Sequence, residues 1–364
     1  MKFIPGLQLS QIFYEEAVRP LLNAHFPDLP HAAALLGHGS EVLGFDDETS
    51  TDHHWGPRVQ LFLRPNDEKT WGTRLLAALA DHLPPTIRGY PTHYSEPDPN
   101  DGGVQHMRSH TGGPVNHRVE IHTLRGFVLS ILNFDLEQPL EPADWLTFSE
   151  QHLRTLTAGA VFHDEIGLEA VRAQFAYYPD NVWRYVLAAG WARIGQDEHL
   201  MGRAGSREDE IGSAIIGARL VRDVMRLGFW MERTYIPYPK WFGTAFQQLD
   251  CAKALTPYLQ TALTAPTWQE RERHLVPAYA HIADMHNALN LTPPIHAKAT
   301  DFHGRGFRVI AQNGFADALT TSITDPQVKG IAARQPIGSM EQFSDSTDLN
   351  SYPEWRKRVR GLYV

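Results

Sequence analysis

Cysteine is almost missing from this chain. Cys251 is the only one in 364 residues, which excludes an internal disulfide and a thiolate zinc centre and fits a reducing compartment. Long apolar runs are missing too. No stretch approaches the roughly 18 apolar residues of a membrane span, and the opening MKFIPGLQLS lacks the apolar core of a secretory signal. The expectation is a soluble, cytoplasmic chain with no membrane partner. Excess positive charge is also lacking. A net charge of −9 disfavours long nucleic acid as a partner, while leaving room for a local basic pocket. Repeats and low-complexity segments are absent. With 42% hydrophobic and 21% charged residues, the composition is that of an ordinary globular protein long enough for two domains.

Apolar periodicity divides the chain. Ser10 is placed to cap a first helix, with Ile12, Phe13, Ala17, Leu21 and Ala24 on its inner face and Pro27 and Pro30 beyond its end. Ala32 to Leu36 reads as a buried strand that breaks at Gly37-His38-Gly39-Ser40. Residues 44–57 read as a loop, Arg58 to Leu63 as a strand, and Lys69 to Leu83 as a helix. Residues 84–114 form a long Pro-, Gly-, Asp- and His-rich loop. Val115 to Leu124 is a strand in which Val119 and Ile121 alternate with Arg118, Glu120 and His122. After Pro142 helical patterns take over, at 142–157, 164–176, 181–197, 206–235, 240–263 and 267–290. The longest begins at Ser206, with Asp209 three residues on in a capping-box pattern, and would bury Ile211, Ile215, Ala218, Met225 and Phe229. A short strand at Gly306 to Ile310 and a helix at Phe315 to Ile323 follow. The expected fold is α+β: a mixed-sheet domain with flanking helices over 1–141, an all-α domain over 142–295, and a small extension over 296–364 that packs on the rest.

The segment GHGSEVLGFDDETSTDHHWGPRVQLFL, residues 37–63, carries the chemistry. A strand runs into a Gly-Ser turn, and twelve residues after Ser40 come Asp52 and then His54, at the start of the next strand. Gly39 lets the backbone approach a phosphate and Ser40 can donate a hydrogen bond to it. On an extended chain, Asp52 and His54 would share a face. With Glu120, on the polar side of its strand, they could hold divalent cations that bridge the phosphates of a nucleotide. Each part has a plainer reading: Gly-Ser as a turn, Asp52 as a cap, Glu120 as a solvated strand residue or a partner of Arg118.

These residues resemble the nucleotidyltransferase superfamily, of DNA polymerase beta-like fold. Its pattern is Gly-Ser, then two acidic residues separated by one, then an acidic residue on a later strand. More closely the chain resembles a bacterial family, domain of unknown function 4037. The likeness lies in GSEVLG (39–44), DHHWGPRVQLF (52–62), GRAGSREDEIGSAIIGARLVRDVMRL (202–227), YPKWFGTAF (238–246) and IGSMEQFSDSTD (337–348). The resemblance implies an enzyme that moves a nucleoside monophosphate group from a triphosphate, ATP foremost, to an unidentified acceptor. Mg²⁺ or Mn²⁺ would be held by Asp52, His54 and Glu120, with Asp52 and Glu120 catalytic and Gly39 and Ser40 on the triphosphate. The superfamily has a carboxylate where this chain has His54. Imidazole suits Mn²⁺ better than Mg²⁺, so His54 implies a softer metal, one weakened metal position, or lost catalysis. The alternatives are a catalytically degenerate nucleotide-binding or regulatory module, or a metal-dependent hydrolase using the His-rich loop.

In the helical half, Arg219, Arg222 and Arg226 recur at spacings of three and four and so share a helix face. They read as phosphate contacts or as an ion-paired face around Asp223. Lys240 and Trp241 read as a phosphate contact and a base-stacking ring, or as an ordinary helix start. The 19 histidines contain no HExxH zinc motif. His163-Asp164 resembles the paired ligands of metal-dependent phosphohydrolases but is too short to point anywhere alone. Cys251 reads as a buried, inert thiol.

Overall fold

A computed structural model describes residues 3–51, 53–334 and 336–364. The fold is α+β, and the chain forms two compact units: Met1–Pro139 with His152–Ala176, and Leu140–Gln151 with Tyr177–Val364. The first change of unit falls beside the boundary expected at 141. The chain then returns: residues 152–176, expected in the second domain, belong with the sheet-bearing N-terminal unit, where helices Glu150–Thr157 and Leu168–Gln174 flank an unexpected strand, Ala160–Asp164.

That sheet has four strands: β1 (His31–Leu35), β2 (Arg58–Leu63), β3 (Arg118–His122) and β4 (Ala160–Asp164), in the order β3-β2-β1-β4. β1 pairs antiparallel with β2 and β4, and β2 pairs parallel with β3. All five β1 residues are buried, four of them the apolar run Ala32–Leu35, and β1 has a strand on each side. The first helix spans Gly6–Phe13 and continues through a π-helical turn, Tyr14–Val18, into Arg19–His25. Its Leu9, Phe13, Tyr14, Val18 and Leu22 pack with Ala33, Val59, Leu61 and Leu63 of the sheet and with Leu75 and Leu79 of the Pro65–His82 helix. Ser10 does not cap it. Ser10 is buried inside the helix, and the Gly6 N–H donates instead to Asp46 Oδ2, 2.7 Å away and 40 residues on. After the sheet strand that ends at His122, Thr123 caps a helix, Leu124–Leu132, its side chain accepting from Gly126 N.

The second unit is helical. Its longest members are Asp180–Gly205, Glu210–Met231, Ala252–Thr264 and Trp268–Ala288, joined by Phe315–Ser322. Residues 296–364 lie in this same unit. The helix expected from Ser206 begins later. Ser206 closes the preceding helix, and Asp209 is the cap, its Oδ1 accepting from Gly212 N at 2.8 Å. Of the expected core face Phe229 is buried, but Ile211 is 79% and Ile215 59% exposed; Leu220, Val224, Leu227 and Trp230 are buried with Phe229. Deep in the unit Glu150, fully buried, accepts from Tyr178 Oη (3.1 Å), Trp230 Nε1 (2.7 Å) and Ile236 N (2.9 Å). Cys251 is a buried free thiol, pushed up by burial and by the Glu232 carboxylate. Among the described residues no helix is long and apolar enough to cross a membrane.

Candidate functional site

The sheet brings one end of β1 and the starts of β2 and β3 together, because β1 runs antiparallel to a parallel pair. At this end β1 breaks. Leu36 N donates to Gln60 Oε1 at 2.9 Å. Gly39 sits at φ +138°, and Ser40–Leu43 forms a single short turn of helix closed by left-handed Gly44. Any side chain at Gly39 would run into the Glu41 carboxylate and the Arg58 guanidinium, 2.7 Å from a Cβ there, so only glycine brings the backbone this close. The Ser40 hydroxyl has no hydrogen-bond partner among the described residues.

Two arginines dominate the electrostatics, and the sequence reading named neither as a site residue. Arg58 and Arg118 open β2 and β3 and stand opposite one another in register. Their side chains are 13% and 15% exposed. Arg58 pairs with Glu41 and donates to the His38 carbonyl at 2.9 Å, while its buried Nε has no partner among the described residues. Arg118 donates to His54 Nδ1 (2.8 Å), Gln105 Oε1 (3.0 Å) and Glu120 Oε1 (3.1 Å). The signal was present in sequence as a shared pattern: RVQLFL and RVEIH both open Arg-Val-polar-apolar.

Glu120 lies on β3 beside Gln60 of β2. His122, at 3.4 Å, and then Arg118 and Arg58 hold its carboxyl down at about 2, outweighing burial. Burial, then Arg118 and Arg58, lower the His54 pKa; burial and then Arg58 lower that of His38. His54 does not lie on an extended strand. It precedes β2 by four residues, with φ +54°, and its N–H donates to the Gln105 carbonyl at 2.9 Å. The shared-face argument from two-residue spacing therefore does not apply to it. Asp52 lies outside the described residues. Two other acids of the loop are engaged. Asp46 accepts from Gly6 N and Trp55 Nε1 (3.0 Å), and Asp47 caps the turn Glu48–Ser50.

The donor set decides how a divalent cation fits. A guanidinium can only donate, so the His54 Nδ1 facing Arg118 offers its lone pair there, and Nε2 carries the proton. A cation at His54 would have to displace Arg118. Glu120 keeps free lone pairs beside its bond to Arg118. The other described carboxylate at this sheet end, Glu41, is tied to Arg58, which leaves Glu120 alone to offer oxygens among the described residues, too few for a Mg²⁺ pair.

The remaining candidates are in the second unit. Arg219 pairs with Asp197 at 3.0 Å. Arg222 and Arg226 lie 3.8 and 3.6 Å from Asp223, and Arg222 reaches Asp345 at 2.7 Å. This is the ion-paired face around Asp223. Lys240 is exposed, in the turn Pro239–Trp241, with its ammonium 4.8 Å from the centre of the Trp241 ring.

Residues 145–242 match the family model described as a domain of unknown function, DUF4037. That span contains Glu150, Tyr178, Trp230 and the arginine helix. GSEVLG, DHHWGPRVQLF and IGSMEQFSDSTD fall outside it. No curated protein matches the chain. Among solved structures, a nucleotidyltransferase-like protein from Exiguobacterium sibiricum 255-15 is similar at 10% identity and a TM-score of 0.29, over 81% of this chain and 97% of that one.

Proposed function

We propose that the N-terminal unit binds a nucleoside triphosphate, ATP foremost, where Gly39, Ser40, Arg58 and Arg118 meet, and transfers its nucleoside monophosphate group to an acceptor. The observation carrying this is the in-register pair Arg58–Arg118 beside a glycine turn: two largely buried guanidiniums and, among the described residues, an Arg58 Nε and a Ser40 hydroxyl without partners at one sheet end. Guanidinium forks match phosphate oxygens, and buried donors without partners call for an acceptor.

In the transfer, an acceptor oxygen bonds to the α-phosphorus as the bond to the β-phosphate oxygen breaks and pyrophosphate leaves. Arg58, Arg118 and the turn would hold the leaving phosphates and neutralise their charge. A carboxyl at about 2 is too weak a base to take the acceptor's proton at neutral pH. Glu120 therefore acts electrostatically, and Asp52 is the base in this reading. A divalent cation, Mg²⁺ or Mn²⁺, would supply further charge neutralisation at Glu120 and Asp52.

A second reading, a nucleotide-binding module without turnover, is favoured by the Arg118–His54 bond, which sets a cation-repelling group between His54 and Glu120. Thermal shift with ATP, GTP, CTP and UTP, each with Mg²⁺ and Mn²⁺, tests the binding step, since a ligand of the folded state raises the melting temperature. ATP should raise it, and Arg58→Met and Arg118→Met should each abolish the shift. No shift with any triphosphate ends both readings. Release of pyrophosphate separates them: binding without release, together with turnover gained in His54→Asp, decides for the second.

A further inference from the structure

A histidine pair at the other end of β1 belongs to no part of that site. His31 opens β1, and β4 lies antiparallel beside it, so that His163 comes diagonally across from His31 and Glu165 follows two residues later. In extended chain, residues two apart share a face. One ligand atom from each of His31, His163 and Glu165 lies within 4.8 Å of the other two. The imidazole centres are 4.6 Å apart, and His163 Nε2 is 3.3 Å from Glu165 Oε2. Asp164, on the opposite face, is spent otherwise: it accepts from the backbone N–H groups of Ile166, Gly167, Leu168 and Glu169.

We propose that His31, His163 and Glu165 bind a divalent transition-metal ion, Zn²⁺ the best match, which clips β4 to β1. Two imidazoles and one carboxylate are a borderline donor set, suited to Zn²⁺ and its neighbours and not to Mg²⁺ or Ca²⁺. The spacing is right. Ligands at about 2.0–2.1 Å in a tetrahedron stand about 3.3 Å apart, the separation already held by His163 and Glu165, and His31 has to close in from no more than 4.8 Å. The outer shell is right as well. His31 Nδ1 is 3.0 Å from the Leu29 carbonyl, which as a pure acceptor fixes the proton there and leaves Nε2 as the donor atom, the arrangement metal-bound histidines use. Tyr14 Oη, fully buried, is 2.9 Å from that Nε2 and donates its hydrogen to it, so the ion takes the place of this hydroxyl and a water completes the tetrahedron. His31 is buried while Glu165 is half-exposed, so the ion has a way in from the β4 edge. The consequence is architectural: β4 belongs to the segment that returns to the first unit, and the ion would tie that segment to the central strand.

The experiment uses the full chain, stripped with EDTA, then titrated with ZnCl₂ by calorimetry and with CoCl₂ by visible absorption. One tight site per chain is expected, with the strong visible bands of tetrahedral Co²⁺ and a rise in melting temperature that MgCl₂ does not produce. Glu165→Gln and His163→Gln should each weaken the site by at least about 100-fold, while the stripped variants keep the far-UV spectrum and melting temperature of the stripped wild type. Glu165 is half-exposed, so its variant tests the site even if His163→Gln folds poorly. His199→Gln, in the other unit, should bind as wild type does. No tight site, or a site that survives Glu165→Gln unchanged, overturns the proposal.

Discussion

Carboxyl groups in this chain are driven to opposite ends of the titration range by their neighbours. Glu120, half-exposed among His122, Arg118 and Arg58, stays ionised down to about 2. Glu150 is pushed up to about 7, first by burial and then by the Glu341 carboxylate, against three donated hydrogen bonds. The folded chain therefore holds the Glu150 proton more tightly than the unfolded chain does. Its contribution to stability is full below the ordinary value of 4.5 and is lost as pH rises through about 7. Stability in urea should fall across that interval, and Glu341→Gln should flatten the fall; parallel profiles for the two proteins would contradict this. At this scale the sequence exposed some of the site and hid the rest. Glu120 and His54 stand out as chemically apt residues near a Gly-Ser turn. Arg58 and Arg118 do not, because an arginine at a strand start reads as a solvated charge until the parallel pairing of β2 with β3 sets the two side by side.

Elements followed the apolar pattern closely where the pattern was continuous. Strand β2 matches its expected span, and the helix expected at 267–290 is Trp268–Ala288. Errors gathered at ends, where capping competes with the pattern. Ser206 and Asp209 both have cap chemistry, and the backbone chose Asp209. Asp209→Ala should therefore cost about 1 kcal/mol, read from urea denaturation, while Ser206→Ala should sit within about 0.5 kcal/mol of wild type. The reverse order would restore the earlier cap. Strand β4 was missed because five residues with a His-Asp pair carry little periodicity. Its entry turn is nonetheless demanding. Gly159 has φ +74°, its N–H donates to the Val42 carbonyl at 3.0 Å, and a Cβ there would collide with the Leu35 carbonyl. Gly159→Ala should destabilise by more than about 1 kcal/mol, with hydrogen exchange rising first in β4; an unchanged melting temperature would refute the tight turn.

The whole molecule is organised by a chain that crosses between units after residues 139, 151 and 176. The short excursion Leu140–Gln151 supplies the second unit with Glu150, Trp145, Leu146 and Phe148, all buried. A fragment starting at Tyr177 would keep the long helices but leave Tyr178 Oη, Trp230 Nε1 and Ile236 N without their acceptor. Each unpaired buried donor costs about 1–3 kcal/mol, so three of them, with the lost apolar burial, rival the about 5–15 kcal/mol stability of a typical domain. Residues 177–364 alone should show no cooperative thermal transition by circular dichroism, while the full chain should. A sharp melt of the fragment would show the excursion to be dispensable.

Composition and periodicity by themselves determined the α+β class, three of the four strands of the main sheet and the long helices, because burial of an apolar stripe is a local property of the chain. They also marked Gly39-Ser40 as the turn at which β1 breaks. Only the tertiary structure decided which partners meet across long separations: Arg58 with Arg118, Asp46 with Gly6, Glu150 with Trp230, and His31 with His163 and Glu165. Those meetings depend on strand order and on a segment that leaves and returns, and neither leaves a periodic trace in the residues involved.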